Sequence, residues 1–228
     1  MNYHAIIVAG GKGTRMGSDL PKQFISLCGK PITMHTIEAF FNSDYHPTIT
    51  LVLNSSFHPL WEVLCAEHKF NIPHILVAGG ANRFHSVKNG LESINANASI
   101  IAIHDAVRPL VTNAIITGAF KQAEIEGSAV TMIQSKDSIR RIIGKTSEAL
   151  NRDEIYLVQT PQTFKSEILI EAYLQGFNSA FTDDASVVET AGHPIHFFPG
   201  DMKNIKITYP DDLILGEALL NSQNKKSV

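Results

Sequence analysis

The chain has few of the residues that build disulfide frameworks or metal clusters. Among its 228 residues there are only two cysteines, Cys28 and Cys65. Their separation fits no metal-binding or redox motif. Cysteines this sparse are typical of a reducing compartment, so we expect a cytoplasmic protein.

Long apolar runs and an excess of charge of one sign are also missing. The first apolar run covers only residues 5–9 and follows no basic cluster, which predicts neither a signal peptide nor a membrane span. Lys and Arg number 19 against 22 Asp and Glu, a net charge of −3. Bulk charge therefore attracts neither nucleic acid nor an anionic membrane, and we expect neither as a partner.

Short apolar runs alternate with amphipathic stretches along most of the chain. Strands are predicted at residues 5–8, 48–53, 74–77, 99–103, 129–133, 195–198 and 205–208. Helices are predicted at residues 31–41, 59–70, 83–94, 113–126, 165–177, 184–191 and 210–220, before a frayed tail at 221–228. This alternation predicts an α/β fold, a Rossmann-like, mostly parallel twisted sheet flanked by helices, in a single domain spanning 1–228.

The alternation is interrupted by a charged segment at residues 136–158. Gly144-Lys145 is typical of a hairpin turn between two polar strands. We interpret the segment as a projecting β-arm. A polar hairpin has little stability alone, so packing against a second copy of the chain in a two-fold homodimer is the economical interpretation.

A glycine-rich loop follows the first predicted strand, where open α/β sheets bind ligands. It is not a Walker A loop, because Gly13 follows Gly11-Lys12. A dinucleotide fingerprint counted from Gly11 needs a glycine where Met16 stands, which disfavours NAD. The loop and its continuation carry the cations Arg15 and Lys22, so we predict a phosphate site, the alternative being a solvated glycine turn.

The motif Ala9-Gly10-Gly11-Lys12-Gly13-Thr14-Arg15-Met16 with Pro21-Lys22-Gln23 resembles the signature loop of nucleotidyltransferases that act on sugar or polyol phosphates. Further segments at residues 86–91, 104–109, 159–164, 182–186 and 204–208 occur in family order. The whole set resembles the 2-C-methyl-D-erythritol 4-phosphate cytidylyltransferases of the non-mevalonate isoprenoid pathway. The resemblance implies CMP transfer from CTP to a polyol phosphate, with Mg²⁺ as cofactor and pyrophosphate as the second product.

The resemblance also implies roles for individual residues. It implies contacts with CTP for Ala9, Gly10, Gly11, Gly13, Thr14, Gly80, Arg83 and Ser86. It implies catalytic roles for Arg15, Lys22, Arg152 and Lys206, and polyol phosphate contacts for Asp105, Ala106, Arg108, Ser138 and Thr160. Arg152 and Ser138 would reach the site of a second subunit. The chain departs from the family pattern at Ser138, where a threonine is usual, and at Ala81, where an aspartate is common.

Several alternatives stay open from the sequence. Asp105 is also a candidate Mg²⁺ ligand, or one half of a structural pair with Arg108. The loop before Arg83 reads the cytosine edge or simply caps a helix. The substrate alternative is the sister enzyme ribitol 5-phosphate cytidylyltransferase. A glycosyltransferase is disfavoured because no Asp-x-Asp motif is present, and a non-catalytic nucleotide sensor because it needs no cations on the substrate side.

Overall fold

The computed structural model describes residues 1–11, 20–95 and 97–224. The strands are β1 (Asn2–Val8), β2 (Ser26–Leu27), β3 (Lys30–Pro31), β4 (Thr48–Leu53), β5 (Ile75–Ala78), β6 (Ser99–Asp105), β7 (Ser128–Gln134), β8 (Ile139–Ile143), β9 (Thr146–Leu150), β10 (Tyr156–Lys165) and β11 (Phe197–Pro199). The helices are α1 (Ile32–Phe41), α2 (His58–Glu67), α3 (Arg83–Glu92), α4 (Asn113–Glu126), α5 (Ser166–Leu174), α6 (Asp184–Thr190) and α7 (Pro210–Asn224).

The central sheet has the strand order β11-β7-β10-β6-β1-β4-β5. β1 is parallel to β4 and β6, β4 to β5, and β7 to β11. β10 is antiparallel to both of its neighbours. The predicted mostly parallel α/β fold is therefore confirmed, with one reversed strand near its centre.

Helices cover both faces of this sheet, because successive side chains of a strand point to opposite faces and those of the buried strands are apolar on both. On β1, Ile7 packs in a core with residues of α1, α2 and α4. Its neighbour Ile6 packs on the opposite face with residues of α3, α5 and α6. Each large aliphatic or aromatic side chain buried in this way contributes about 1.5–3 kcal/mol.

Three predictions of secondary structure are wrong. β10 was not predicted, since its buried Gln159, Gln162 and Thr163 do not give an apolar pattern and Pro161 interrupts the run. Residues 205–208 form no strand, because the segment bonds to the loop after β6, through Ile207 N–H to the Val107 carbonyl at 2.9 Å. Helix α7 continues to Asn224, so residues 221–224 are not a frayed tail, and 225–228 lie outside the described residues.

The hairpin predicted around Gly144 is confirmed, with β8 and β9 paired in a sheet of their own. The arm is shorter than predicted, because Tyr156 to Val158 pair with β7 and belong to the central sheet. Ile142 and Ile143 of the hairpin are 72% and 51% exposed. Its role in dimerisation stays a prediction. Within the described ranges, no helix combines the length and the apolar character needed to cross a membrane.

His104 on β6 gives the fold a sensitivity to acid. Its ring is fully buried against Phe40, and burial lowers the pKa of His104 to about 4. In the unfolded chain the His104 ring binds a proton near pH 6.5, whereas in the native protein it stays neutral at that pH. The contribution of His104 to native stability is therefore fully present above pH 6.5 and decreases below it. We expect the step from about pH 7 to about pH 5 to cost roughly 2 kcal/mol through His104.

Urea unfolding of a His104→Leu variant at both pH values measures this share. Part of the acid sensitivity remains in the variant, because burial also lowers the pKa of His4 and His35. His68→Gln, which replaces an exposed ring, is the matched control for the removal of a histidine. An undiminished loss of stability between the two pH values in His104→Leu contradicts the assignment.

Candidate active site

A cleft of about 240 Å³ opens at the carboxyl edge of the central sheet. Val8 and Asp105 are opposite each other at the ends of β1 and β6, so the loops that follow them meet. Among the described residues the lining comprises Val8, Ala9, Gly10, Gly11, Lys22, Gln23, Gly80, Ala81, Asn82, Arg83, Ser86, Asp105, Val107 and Lys206. Of the predicted site residues, Ala9, Gly10, Gly11, Lys22, Gly80, Arg83, Ser86, Asp105 and Lys206 are brought together here. Gly13, Thr14 and Arg15 lie outside the described residues.

Lys22 is held at the floor of the cleft by a short 3-10 turn, Lys22–Phe24. Its side chain is buried, and Nζ donates to the Ile207 carbonyl at 3.2 Å. Gln23 fixes the turn through two hydrogen bonds. Its side-chain Nε2 donates to the Ala9 carbonyl at 3.0 Å, and its backbone carbonyl accepts from Thr33 Oγ1 at 2.8 Å. The ammonium group is thus anchored beside the loop that leaves β1.

The second loop of the cleft precedes α3 and is fixed by Ser86. Ser86 Oγ accepts from Gly80 N–H at 3.0 Å and donates to the Asn82 carbonyl at 2.8 Å. A side chain at Gly80 would place Cβ 2.4 Å from His85 Cβ, so only glycine fits. The first glycine loop approaches this second one closely, and a Cβ at Gly10 would lie only 3.2 Å from Ser86 Oγ.

Asp105 is surrounded by cations. Its carboxylate lies 2.8 Å from Lys206 Nζ, 3.6 Å from Arg108 Nε and 3.8 Å from Arg83 Nε. Burial alone would raise the pKa of Asp105, but Arg83, Lys206 and Arg108 outweigh it and hold that pKa below its ordinary value. The carboxylate therefore stays ionised and anchors three positive side chains at the cleft.

The remaining predicted substrate residues in this region form hydrogen bonds around Asp105 and the end of β6. Thr160 Oγ1 accepts from Asp105 N–H at 3.1 Å, and Ala106 N–H donates to the Val8 carbonyl at 3.0 Å. Arg108 Nη1 donates to the Asn204 carbonyl at 2.8 Å, and Asn204 Nδ2 donates to the Thr160 carbonyl at 2.9 Å. None of Ala106, Arg108 and Thr160 is among the described lining residues of the cleft.

Residues 3–222 match the family model described as 2-C-methyl-D-erythritol 4-phosphate cytidylyltransferase, IspD. The chain belongs to the IspD family. It is 48% identical to the cytidylyltransferase of that name from Bacteroides thetaiotaomicron over 220 residues, 96% of this chain and 100% of the relative. The Bacteroides fragilis protein is 46% identical over 216 residues, 95% and 98% of the two chains.

Solved structures agree with this membership. The IspD crystal structure from Francisella tularensis superposes with a TM-score of 0.79 at 28% identity, covering 96% of this chain and 100% of that one. The Thermus thermophilus structure gives 0.79 and 28%, covering 96% and 98%. The chain is thus an IspD-type nucleotidyltransferase, as the motif order predicted.

The described residues do not fit a Mg²⁺ ion held by protein ligands alone. No cluster of three or more His, Cys, Asp or Glu side chains occurs within them. Asp105 is the one carboxylate among the described lining residues, and it is already paired with cations. A metal in this IspD cleft would need oxygen ligands from elsewhere, such as nucleotide phosphates.

The two predicted residues of the arm are not part of their own chain's cleft lining. Ser138 and Arg152 are both exposed, and Arg152 Nη1 donates to the Lys136 carbonyl at 3.3 Å. Their delivery to a partner's IspD site remains a prediction.

Sequence reasoning gave no role to Asp184, Tyr173 and Asn204. Asp184 forms a two-bond ion pair with Arg83 and accepts from Tyr173. The available signal was the position of Asp184 and Asn204 inside segments that resemble IspD motifs, whereas Tyr173 lies in a helix with no such motif.

Proposed function

We propose that the chain transfers CMP from CTP to 2-C-methyl-D-erythritol 4-phosphate in this cleft. A phosphate oxygen of the polyol phosphate attacks the α-phosphorus of CTP, the bond to the bridging oxygen of the β-phosphate breaks, and pyrophosphate leaves. The observation that supports this assignment best is the meeting of Lys22, Arg83 and Lys206 with two glycine loops at one sheet edge. Both reactants are anionic, so positioning and charge neutralisation supply most of the catalysis.

Lys22 neutralises the charge that develops around the α-phosphate and the leaving pyrophosphate. Its buried, anchored ammonium needs no reorganisation when the reaction begins, which makes it effective for a transition state. Lys206, held by Asp105, positions the phosphate of the polyol. A phosphate nucleophile is ionised near neutral pH, so no general base is required.

The nucleotide base lies against the loop at residues 79–82. Ala81 offers no carboxylate to the cytosine amino group, so backbone groups of this loop carry the recognition. Mg²⁺ would bind through oxygens of the triphosphate, because the described side chains offer no ligand set of their own, and it would neutralise phosphate charge there.

A homodimer completes the site, with Arg152 and Ser138 reaching the partner's polyol phosphate. The exposed apolar residues Ile142, Ile143 and Leu157, on or beside the arm, support a buried partner surface. Both cysteines are free thiols, which supports a reducing, cytoplasmic location.

Turnover with CTP and each polyol phosphate tests the substrate assignment. We expect pyrophosphate release with 2-C-methyl-D-erythritol 4-phosphate, at a kcat/KM about tenfold or more above that with ribitol 5-phosphate. The reverse preference would assign the chain to ribitol phosphate instead. Absence of turnover with both substrates would reject the reaction.

A further inference from the structure

A buried chain of polar contacts leads from α5 through α6 to the cleft. Tyr173 donates from its hydroxyl to Asp184 Oδ1 at 2.7 Å. Asp184 in turn accepts from Arg83 Nη1 at 2.7 Å and from Nη2 at 2.6 Å, one bond to each carboxylate oxygen. The Asp184 side chain is 0% exposed, whereas that of Arg83 is 30% exposed and lines the cleft.

This geometry fixes the orientation of the Arg83 guanidinium. Both of its terminal nitrogens are bound to Asp184, and Nε lies 3.8 Å from Asp105 on the cleft side. Two-point pairing of arginine with a carboxylate fixes direction as well as distance. Arg83 is also the first residue of α3, so the same contact fixes the end of the loop at 79–82.

Tyr173 holds the far side of Asp184. Its ring stacks on Phe84, with centroids 4.8 Å apart. Burial and the neighbouring Asp184 carboxylate raise the pKa of Tyr173, so the hydroxyl stays protonated and donates. Asp184 thus receives three hydrogen bonds that leave it one orientation.

We propose that Asp184, held by Tyr173, is a positioning residue that aims Arg83 at the triphosphate of CTP. The proposal rests on the placement of CTP in the cleft under the proposed function. Without Asp184 the guanidinium loses the two bonds that fix its direction. Lys206 pairs with Asp105 and not with Asp184, so the contact concerns nucleotide binding rather than the polyol phosphate.

The first test is the Asp184→Asn variant, which keeps the shape and removes the charge. We expect KM for CTP to rise about tenfold, with KM for the polyol phosphate nearly unchanged. Tyr173→Phe keeps the stacked ring and raises KM for CTP about threefold. The matched control is Asp183→Asn, whose carboxylate bonds Ser186 N–H and Gln162 Nε2 instead of Arg83, and whose KM for CTP stays at the wild-type value.

Chemical rescue separates positioning from a general structural role. Arg83→Ala leaves the Asp184 carboxylate to bind free guanidinium, so guanidinium far below denaturing concentrations restores part of kcat/KM for CTP. In Arg83→Ala/Asp184→Asn the same salt restores nothing, and the double variant is no worse than Arg83→Ala before rescue. Sodium chloride at equal ionic strength controls for screening.

The outcomes distinguish the two proposals. Normal kinetics in Arg83→Ala reject the placement of CTP beside Arg83, and the positioning role with it. An impaired Arg83→Ala beside a normal Asp184→Asn rejects the positioning role alone. Three other results also overturn the positioning role. They are a lowered KM for CTP in Asp184→Asn, losses of the two single variants that add up in Arg83→Ala/Asp184→Asn, and equal rescue of Arg83→Ala and the double variant. If Asp184→Asn fails to fold, Tyr173→Phe and the rescue of Arg83→Ala decide.

Discussion

Replacing Lys22 with methionine is expected to lower kcat by about 10²–10³-fold while the protein stays folded. Methionine keeps the apolar stem of the buried side chain and removes the ammonium group, which under the proposed function faces the α-phosphate. Thermal stability should stay close to that of the wild type, because the variant loses the hydrogen bond to the Ile207 carbonyl but no longer buries a charge. Steady-state kinetics on variants checked by thermal unfolding measure both quantities.

Lys30→Met is the matched control, since Lys30 follows Lys22 closely in the chain but forms an ion pair with Glu38 outside the cleft lining. Its kcat should equal that of the wild type. We expect Arg15→Ala to resemble the Lys22 variant, as the motif at residues 9–16 implies. A normal kcat in both Lys22→Met and Arg15→Ala would remove the catalytic role from this loop.

The sequence predicted the parts of the fold that depend on local apolar patterns. Strands such as β4 and β6 have continuous apolar runs because both faces of a parallel sheet are covered by helices. β10 was missed for the opposite reason. Its interior residues Gln159, Gln162 and Thr163 are polar, and their burial depends on contacts with distant segments, such as Gln162 with Asp183.

The site residues also divide into those that a local sequence pattern predicts and those that only the fold brings together. The glycine loop and Lys22 are close in the chain, so spacing and resemblance identified them together. The Asp105–Lys206 and Arg83–Asp184 pairs each join residues about a hundred positions apart. Only the fold brings such residues together, so no local pattern predicts that Asp105 collects three cations or that Asp184 holds Arg83.

Arg152→Ala should reduce activity strongly on its own, because the proposed dimer uses this cation at the partner's polyol phosphate. The residue is exposed and is not part of the cleft lining of its own chain. Lys22, in contrast, lines its own chain's cleft. Two inactive variants, Lys22→Met and Arg152→Ala, therefore carry defects that a mixed dimer distributes unequally.

Co-expression of the two variants with different affinity tags tests this exchange. In a mixed dimer one site collects both defects, and the other combines an intact Lys22 with an intact Arg152. Random pairing makes about half of the dimers mixed, so about a quarter of all sites are whole. Mixed dimers purified on both tags should show about half of the wild-type activity per dimer. If Arg152 served its own chain, every site would carry one defect, and a mixed dimer as inactive as its parents would reject the exchanged arm.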